Sequence, residues 1–151
     1  MQKYLTEYNN ILAMLDDIYN RFERCFDLPG CTLWVLYALR GSREPCTQAE
    51  ICEGLFMPKQ SINCAIKRLL EDGDIVLKTG RDRRRKLIVL TEKGEKLAER
   101  TVDLMVAEEE KAFLMMTERE RTEFLRLFSK YSELLRAGAE IAVHEAERSA
   151  K

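Results

Sequence analysis

The chain has 151 residues, 46% of them apolar and 34% charged, and a formal net charge of −1. This is the balance of a globular protein with enough apolar material for one core, as a compact domain or a domain with helical extensions. The longest apolar stretches, such as Thr32–Leu39, are far too short to cross a bilayer. The N-terminal MQKYLTEYNN lacks the basic and then apolar segments of a signal peptide. The expected location is therefore the cytoplasm, with no membrane partner.

Apolar residues at Tyr4, Tyr8, Ile11, Leu12, Leu15, Ile18, Tyr19, Phe22 and Phe26 repeat with the period of an amphipathic helix, which Pro29-Gly30 ends. Residues 32–40 (TLWVLYALR) are apolar almost all round and read as a buried second helix. Thr47-Gln48-Ala49-Glu50 has the spacing of a capping box and starts a short third helix ending near Gly54. Pro58 suits the first turn of a fourth helix. That helix keeps Ile62, Ile66, Leu69 and Leu70 on one face, and Gly73 stops it.

Two β-branched apolar runs, Ile75–Leu77 and Leu87–Leu90, flank a turn built on Gly80 and predict a hairpin with a long charged tip. Thr91 caps a helix expected to run unbroken from Glu92 to just before Thr117. Thr117-Glu118-Arg119-Glu120 is a second capping box. It opens a last helix carrying Phe124, Leu125, Phe128, Tyr131, Leu134 and Leu135.

The expected fold class is mainly α with a small β-hairpin wing. Two helices joined by a short turn and followed by a basic hairpin form a winged helix-turn-helix, whose second helix enters the major groove of DNA. Charge supports this. Residues 57–86 hold nine basic and four acidic side chains, a net +5, which leaves −6 for the rest of the chain. An acidic body with one basic patch suits a polyanion site that resists indiscriminate binding. The candidate contacts on the fourth helix are Lys59, Gln60, Ser61, Asn63 and Lys67. Amide side chains can pair with adenine, and lysine can donate to guanine or phosphate. A solvated helix face is the ordinary explanation of Gln60 and Asn63, but the neighbouring basic tip favours DNA. That tip supplies Arg81, Asp82, Arg83, Arg84, Arg85 and Lys86.

Residues 82–94, DRRRKLIVLTEKG, resemble the wing and following helix start of the MarR family of transcriptional regulators. Asp82, Arg84, Leu90, Thr91 and Gly94 carry that resemblance, and KQSINCAIKRLLEDGDI (59–75) resembles the family's recognition helix. The resemblance implies a homodimer whose first and last helices pack across a two-fold axis. It also implies that Arg84 reaches a minor groove while Asp82 braces it, and that a small ligand or an oxidant releases a repressor from DNA. The corresponding division of a single domain spanning 1–151 is dimerisation helices at 1–30 and 112–151 and a DNA-binding region at 31–111. Apart from the resemblance, the faces bearing Tyr4, Tyr8, Phe22, Phe124, Phe128 and Tyr131 need cover, and a second copy is the simplest source.

A ligand cleft is implied between the helical region and the winged unit, with Trp34 and Tyr37 as aromatic candidates to line it, although core packing is the plainer role for both. The five cysteines, Cys25, Cys31, Cys46, Cys52 and Cys64, contain no C-x-x-C pair and fit reduced, small apolar residues. An oxidant-sensing thiol is the alternative, best served by Cys25 beside Arg21 and Arg24. A third reading, from another class, is a winged-helix scaffold for protein partners, which has no need of so basic a tip. The lone His144, the absence of a glycine-rich phosphate loop and the lack of any nucleophile–base grouping predict no metal, no cofactor and no enzyme.

Overall fold

The computed structural model describes residues 1–42, 44–80 and 85–149. In chain order the elements are α1 (Gln2–Phe26), α2 (Gly30–Gly41), β1 (Cys46–Thr47), α3 (Gln48–Leu55), α4 (Lys59–Glu71), β2 (Ile75–Thr79), β3 (Lys86–Leu90), α5 (Glu92–Glu99), α6 (Val102–Met115) and α7 (Glu118–Ser149). The chain divides into two compact units, Met1–Ala107 and Glu108–Lys151.

In the first unit the core is built on α2, which reads as apolar all round because it packs on several elements. Leu33, Val35 and Leu36 are fully buried, joined by Ile51 of α3, Ile62, Ala65, Ile66 and Leu69 of α4, Ile75 and Ile88 of the sheet, and Leu97, Val102 and Met105 beyond it. The last turns of α1 lean on this core through Tyr19, Phe22 and Phe26. Phe22, expected on a partner-facing surface, is thus half-buried within its own chain and stacked on Phe26 at 5.7 Å.

The hairpin expected from the β-branched runs is present, with Ile75 opposite Leu90 and Thr79 opposite Lys86. The Gly80 N–H donates to the Arg85 carbonyl at 2.9 Å and closes it. The sheet has a third, antiparallel strand on its outer side. β1 pairs with β3 through Cys46–Ile88 and Thr47–Leu87, giving the order β1-β3-β2. Two residues are too few for an alternating pattern, so this strand has no sequence signal.

Several helix ends follow from local chemistry. In the Thr47 capping box, the Thr47 hydroxyl accepts from the Glu50 N–H at 3.3 Å and Glu50 accepts from the Thr47 N–H at 2.7 Å. Pro58 caps α4 from just outside, with ψ at 134°, instead of sitting in its first turn. Gly73, at φ +74°, takes the left-handed turn that ends α4. Gly94 is fixed by a close approach: a Cβ there would lie 1.9 Å from the Asp74 carbonyl oxygen. The same carbonyl accepts the Thr91 N–H at 2.9 Å, so the start of α5 is seated on the start of β2.

The single helix expected from Glu92 to Thr117 is two helices. The break falls at Arg100–Thr101. Thr101 is buried, and its hydroxyl donates to the Leu97 carbonyl at 2.6 Å, occupying an oxygen that the helical ladder would otherwise use. Its N–H turns to the Ala98 carbonyl at 3.2 Å. Across this break Arg40 of α2 links the two helices. It donates to both carboxylate oxygens of Asp103, at 2.9 and 2.7 Å, and to Glu95. Its hydrogen bond to Asp103 pushes the Arg40 pKa further up.

In the second unit the Thr117 capping box forms as expected, with Glu120 accepting the Thr117 N–H at 2.8 Å. Arg121 donates to the Phe113 and Met116 carbonyls at 2.9 and 3.0 Å and so satisfies the end of α6. Phe124 packs between Phe113 and Phe128, with ring centroids 6.1 and 5.7 Å away. No residue of α7 is buried. Among the described residues, no helix is long and apolar enough to cross a membrane.

Candidate nucleic-acid interface

The face of α4 is set by its core contacts. Ile62, Ala65, Ile66 and Leu69 point inward, and Lys59, Asn63 and Lys67, spaced at four residues, form an exposed stripe bordering that face. Gln60 is exposed beside that stripe and Ser61 is half-buried at its edge. Lys67 keeps its ammonium 3.7 Å from Glu71, an exposed pair that leaves it available to another anion. The helix therefore presents two cations flanking an amide on a face the core does not need.

The base of the wing is tied to the N-terminus of α3. Glu50 accepts from the Thr47 N–H and hydroxyl with one carboxylate oxygen, while its other oxygen accepts from Arg85 at 2.6 Å. The Thr47 N–H, the Thr47 hydroxyl and then Arg85 together hold the Glu50 carboxyl below the usual carboxylate range. Arg85 thus has a tethering role that the sequence did not reveal. Lys86 is exposed, and its ammonium lies 3.4 Å from the Thr79 hydroxyl across the hairpin. The other tip candidates, Arg81, Asp82, Arg83 and Arg84, lie outside the described residues.

Two further residues at this surface escaped the sequence reading. Gln48, in the first turn of α3, donates its Nε2 to Asn63 Oδ1 on α4. Phe56 occupies the turn between α3 and α4 with φ at 51° and 87% of its surface exposed. The first contact joins residues fifteen apart in a non-periodic way. The second breaks both the polarity and the conformational preference of a turn.

Trp34 and Tyr37 are half-buried and packed against the core. Trp34 meets Tyr19 edge-on at 5.1 Å and Tyr37 at 5.4 Å. The five thiols are free. Cys25 is exposed, and the neighbouring Arg24 guanidinium lies 4.0 Å from Asp17. Three other thiols converge from α2, α3 and α4: burial pushes the Cys31 thiol up, and nearby Cys64 and Cys52 push the same way. A raised thiol is poorly nucleophilic.

Known proteins resemble this chain in sequence and in fold. The MarR family model matches residues 26–85, from the end of α1 to the base of the wing. The HTH-type transcriptional regulator YwoH of Bacillus subtilis is 35% identical over 97 residues, which cover 64% of this chain and 70% of YwoH. Two solved structures share the fold at lower identity. NMB1585, a MarR family regulator from Neisseria meningitidis, superposes with a TM-score of 0.76 at 23% identity, over 91% of this chain and 96% of its own. MepR of S. aureus, in complex with DNA, superposes with a TM-score of 0.69 at 21% identity, over 87% of this chain and 97% of its own.

Proposed function

The chain belongs to the MarR family of DNA-binding transcriptional regulators, and on that premise we propose that it is a homodimeric repressor that binds an inverted-repeat operator and is released by a small-molecule ligand. The observation that carries the proposal is the outward stripe of Lys59, Asn63 and Lys67 on α4, beside a wing locked in place by Arg85–Glu50 and the β1–β3 pairing. In this reading α4 lies in the major groove. Asn63 and Gln60 meet base edges, Lys59 and Lys67 meet phosphate or guanine, and Ser61 takes a phosphate at the groove edge. Arg84 enters the minor groove braced by Asp82, with Arg81, Arg83 and Lys86 sharing the backbone charge. The solved MepR complex shows that a protein of this fold binds DNA.

Dimerisation rests on uncovered apolar surface. Tyr4, Ile11 and Met14 of α1 are 71%, 54% and 58% exposed, and Leu125, Leu134 and Leu135 of α7 are 55%, 64% and 53% exposed. Burial of that area recovers about 25 cal/mol per Å². A two-fold dimer presents two copies of α4, so the operator half-sites should be centred about one helical turn apart. The Tyr19–Trp34–Tyr37 cluster is an aromatic surface beside the core that a flat ligand could extend. Burial raises the Cys31 thiol, which makes that one cysteine a poor oxidant sensor.

The test is binding of the wild type, Arg84→Ala and Asn63→Ala to the operator and to scrambled duplex across a salt series. Arg84→Ala should weaken both complexes and lower the slope of log K against log salt by about 0.9. Asn63→Ala should erode the preference for operator, by about 1–3 kcal/mol, and leave the slope alone. Unchanged affinities and slope in Arg84→Ala would remove the wing from the interface and restore the protein-scaffold reading.

A further inference from the structure

The hydrogen bond between Gln48 and Asn63 changes what Asn63 can read. A free asparagine amide pairs with adenine by accepting from the amino group at N6 and donating to N7. Here the Asn63 oxygen already accepts from Gln48 Nε2. That leaves the oxygen one of its two lone pairs and directs it toward Gln48, while the Asn63 NH2, with two donors, stays wholly uncommitted. Guanine offers two acceptors in the major groove, N7 and O6, and thymine offers O4. Gln48 is half-buried in the first turn of α3, held by the Thr47–Glu50 box immediately before it, whereas Asn63 is exposed in the middle of the outward stripe. Gln48 is thus anchored, and Asn63 stands at the exposed surface. Lys59 and Lys67, one turn to either side of Asn63, are donors as well, so the stripe as a whole favours acceptor-rich edges.

We propose that Gln48 and Asn63 form one recognition unit, in which Gln48 is a positioning residue that turns the Asn63 amide so that it selects guanine or thymine and disfavours adenine. This rests on the reading above that α4 meets base edges. Gln48 touches no base; it sets which end of the Asn63 amide does. The first helix of the motif therefore contributes to specificity through the second.

The experiment is selection of binding sites from randomised duplexes by the wild type, Asn63→Ala, Gln48→Ala and Gln48→Glu, with the salt slope and thermal melting of each variant. The base position that loses its preference in Asn63→Ala is the one Asn63 reads, and the wild type should select guanine or thymine there. Gln48→Ala leaves the Thr47–Glu50 box intact and frees the Asn63 oxygen. It should move that position towards adenine by about fivefold or more, with an unchanged salt slope. Gln48→Glu offers only acceptors, so it takes the Asn63 NH2 and turns the oxygen outward. The preference should then pass to adenine or cytosine, whose amino groups donate in the major groove. An adenine preference in the wild type, or the same preference in the wild type and both Gln48 variants while Asn63→Ala erases it, would overturn the unit and leave base reading by α4 intact. No change in any preference in Asn63→Ala would instead overturn base reading at this residue, and the unit with it.

Discussion

The winged core and the terminal helices are built from similar amounts of apolar sequence, yet they use it in opposite ways. In the core, Leu33, Val35, Leu36 and Ile62 have no exposed surface. Along α1 and α7 no residue is buried at all. The difference lies in geometry more than in composition. α2, α3, α4 and the sheet close around a common centre, whereas 32 residues of α7 form one helix, which cannot bury its own face. One region buries its apolar residues within the chain, and the other leaves apolar surface exposed, which the proposed dimer would cover. Stability and assembly should therefore be separable by mutation.

The largest effect tests that separation directly. Leu36→Ala removes a fully buried side chain at the meeting point of several elements, and should cost about 3–5 kcal/mol in denaturant unfolding. Replacing Leu134 and Leu135 together by Glu should act on the other region. Both side chains are more than half exposed, so light scattering should show loss of the dimer while the core keeps its cooperative transition. A double variant that remained dimeric would move the interface off α7.

A pair of glycines gives a smaller contrast of opposite sign. Gly94 lies in the core with the Asp74 carbonyl pressed against it, and Gly138 lies on α7 with nothing within 4 Å. Gly94→Ala must push α5 off the start of β2 and should cost about 3 kcal/mol, the upper part of the range for overpacking. Gly138→Ala has room and gains helix propensity, so it should stabilise by about 0.5–1 kcal/mol. A loss of dimer in Gly138→Ala would show instead that two helices approach closely at that glycine.

The same contrast explains which features could be read without coordinates. Both capping boxes were legible because their four residues are contiguous and the chemistry is local: Thr47 with Glu50, Thr117 with Glu120. The amphipathic faces of α1, α4 and α7 were legible from their period. Long-range contacts were not. Arg40 finds Glu95 and Asp103 far along the chain, Gln48 finds Asn63, and Arg85 finds Glu50. The break at Thr101 escaped notice because threonine is an unremarkable residue in a helix until it is buried and its hydroxyl takes a carbonyl. Phe22 reads like Tyr4 by period alone, yet only Phe22 reaches the core. For the candidate interface, sequence gave the outward residues of α4 and the basic tip, but not the tether and the amide pair that orient them.

The smallest effect compares the two capping boxes across pH. Glu50 and Glu120 are each held below the ordinary carboxylate range, in both cases first by the N–H and then by the hydroxyl of the box threonine. A carboxylate whose folded pKa is depressed contributes stability that is complete above its unfolded value, about 4.3, and is lost as the pH falls through the folded value. Glu50→Gln and Glu120→Gln should therefore lower Tm at neutral pH and lose their difference from the wild type as the pH drops below about 4. Glutamine can still occupy the box but carries no charge. The two variants should differ in one respect. Glu50 also receives Arg85 at the base of the wing, whereas Glu120 is lowered by the box threonine alone, against desolvation. Glu50→Gln should thus weaken operator binding at neutral pH through a loosened wing, and Glu120→Gln should leave it unchanged. If both variants bound the operator as the wild type does, Arg85–Glu50 would stabilise the fold without positioning the wing, and the β1–β3 pairing would hold it alone.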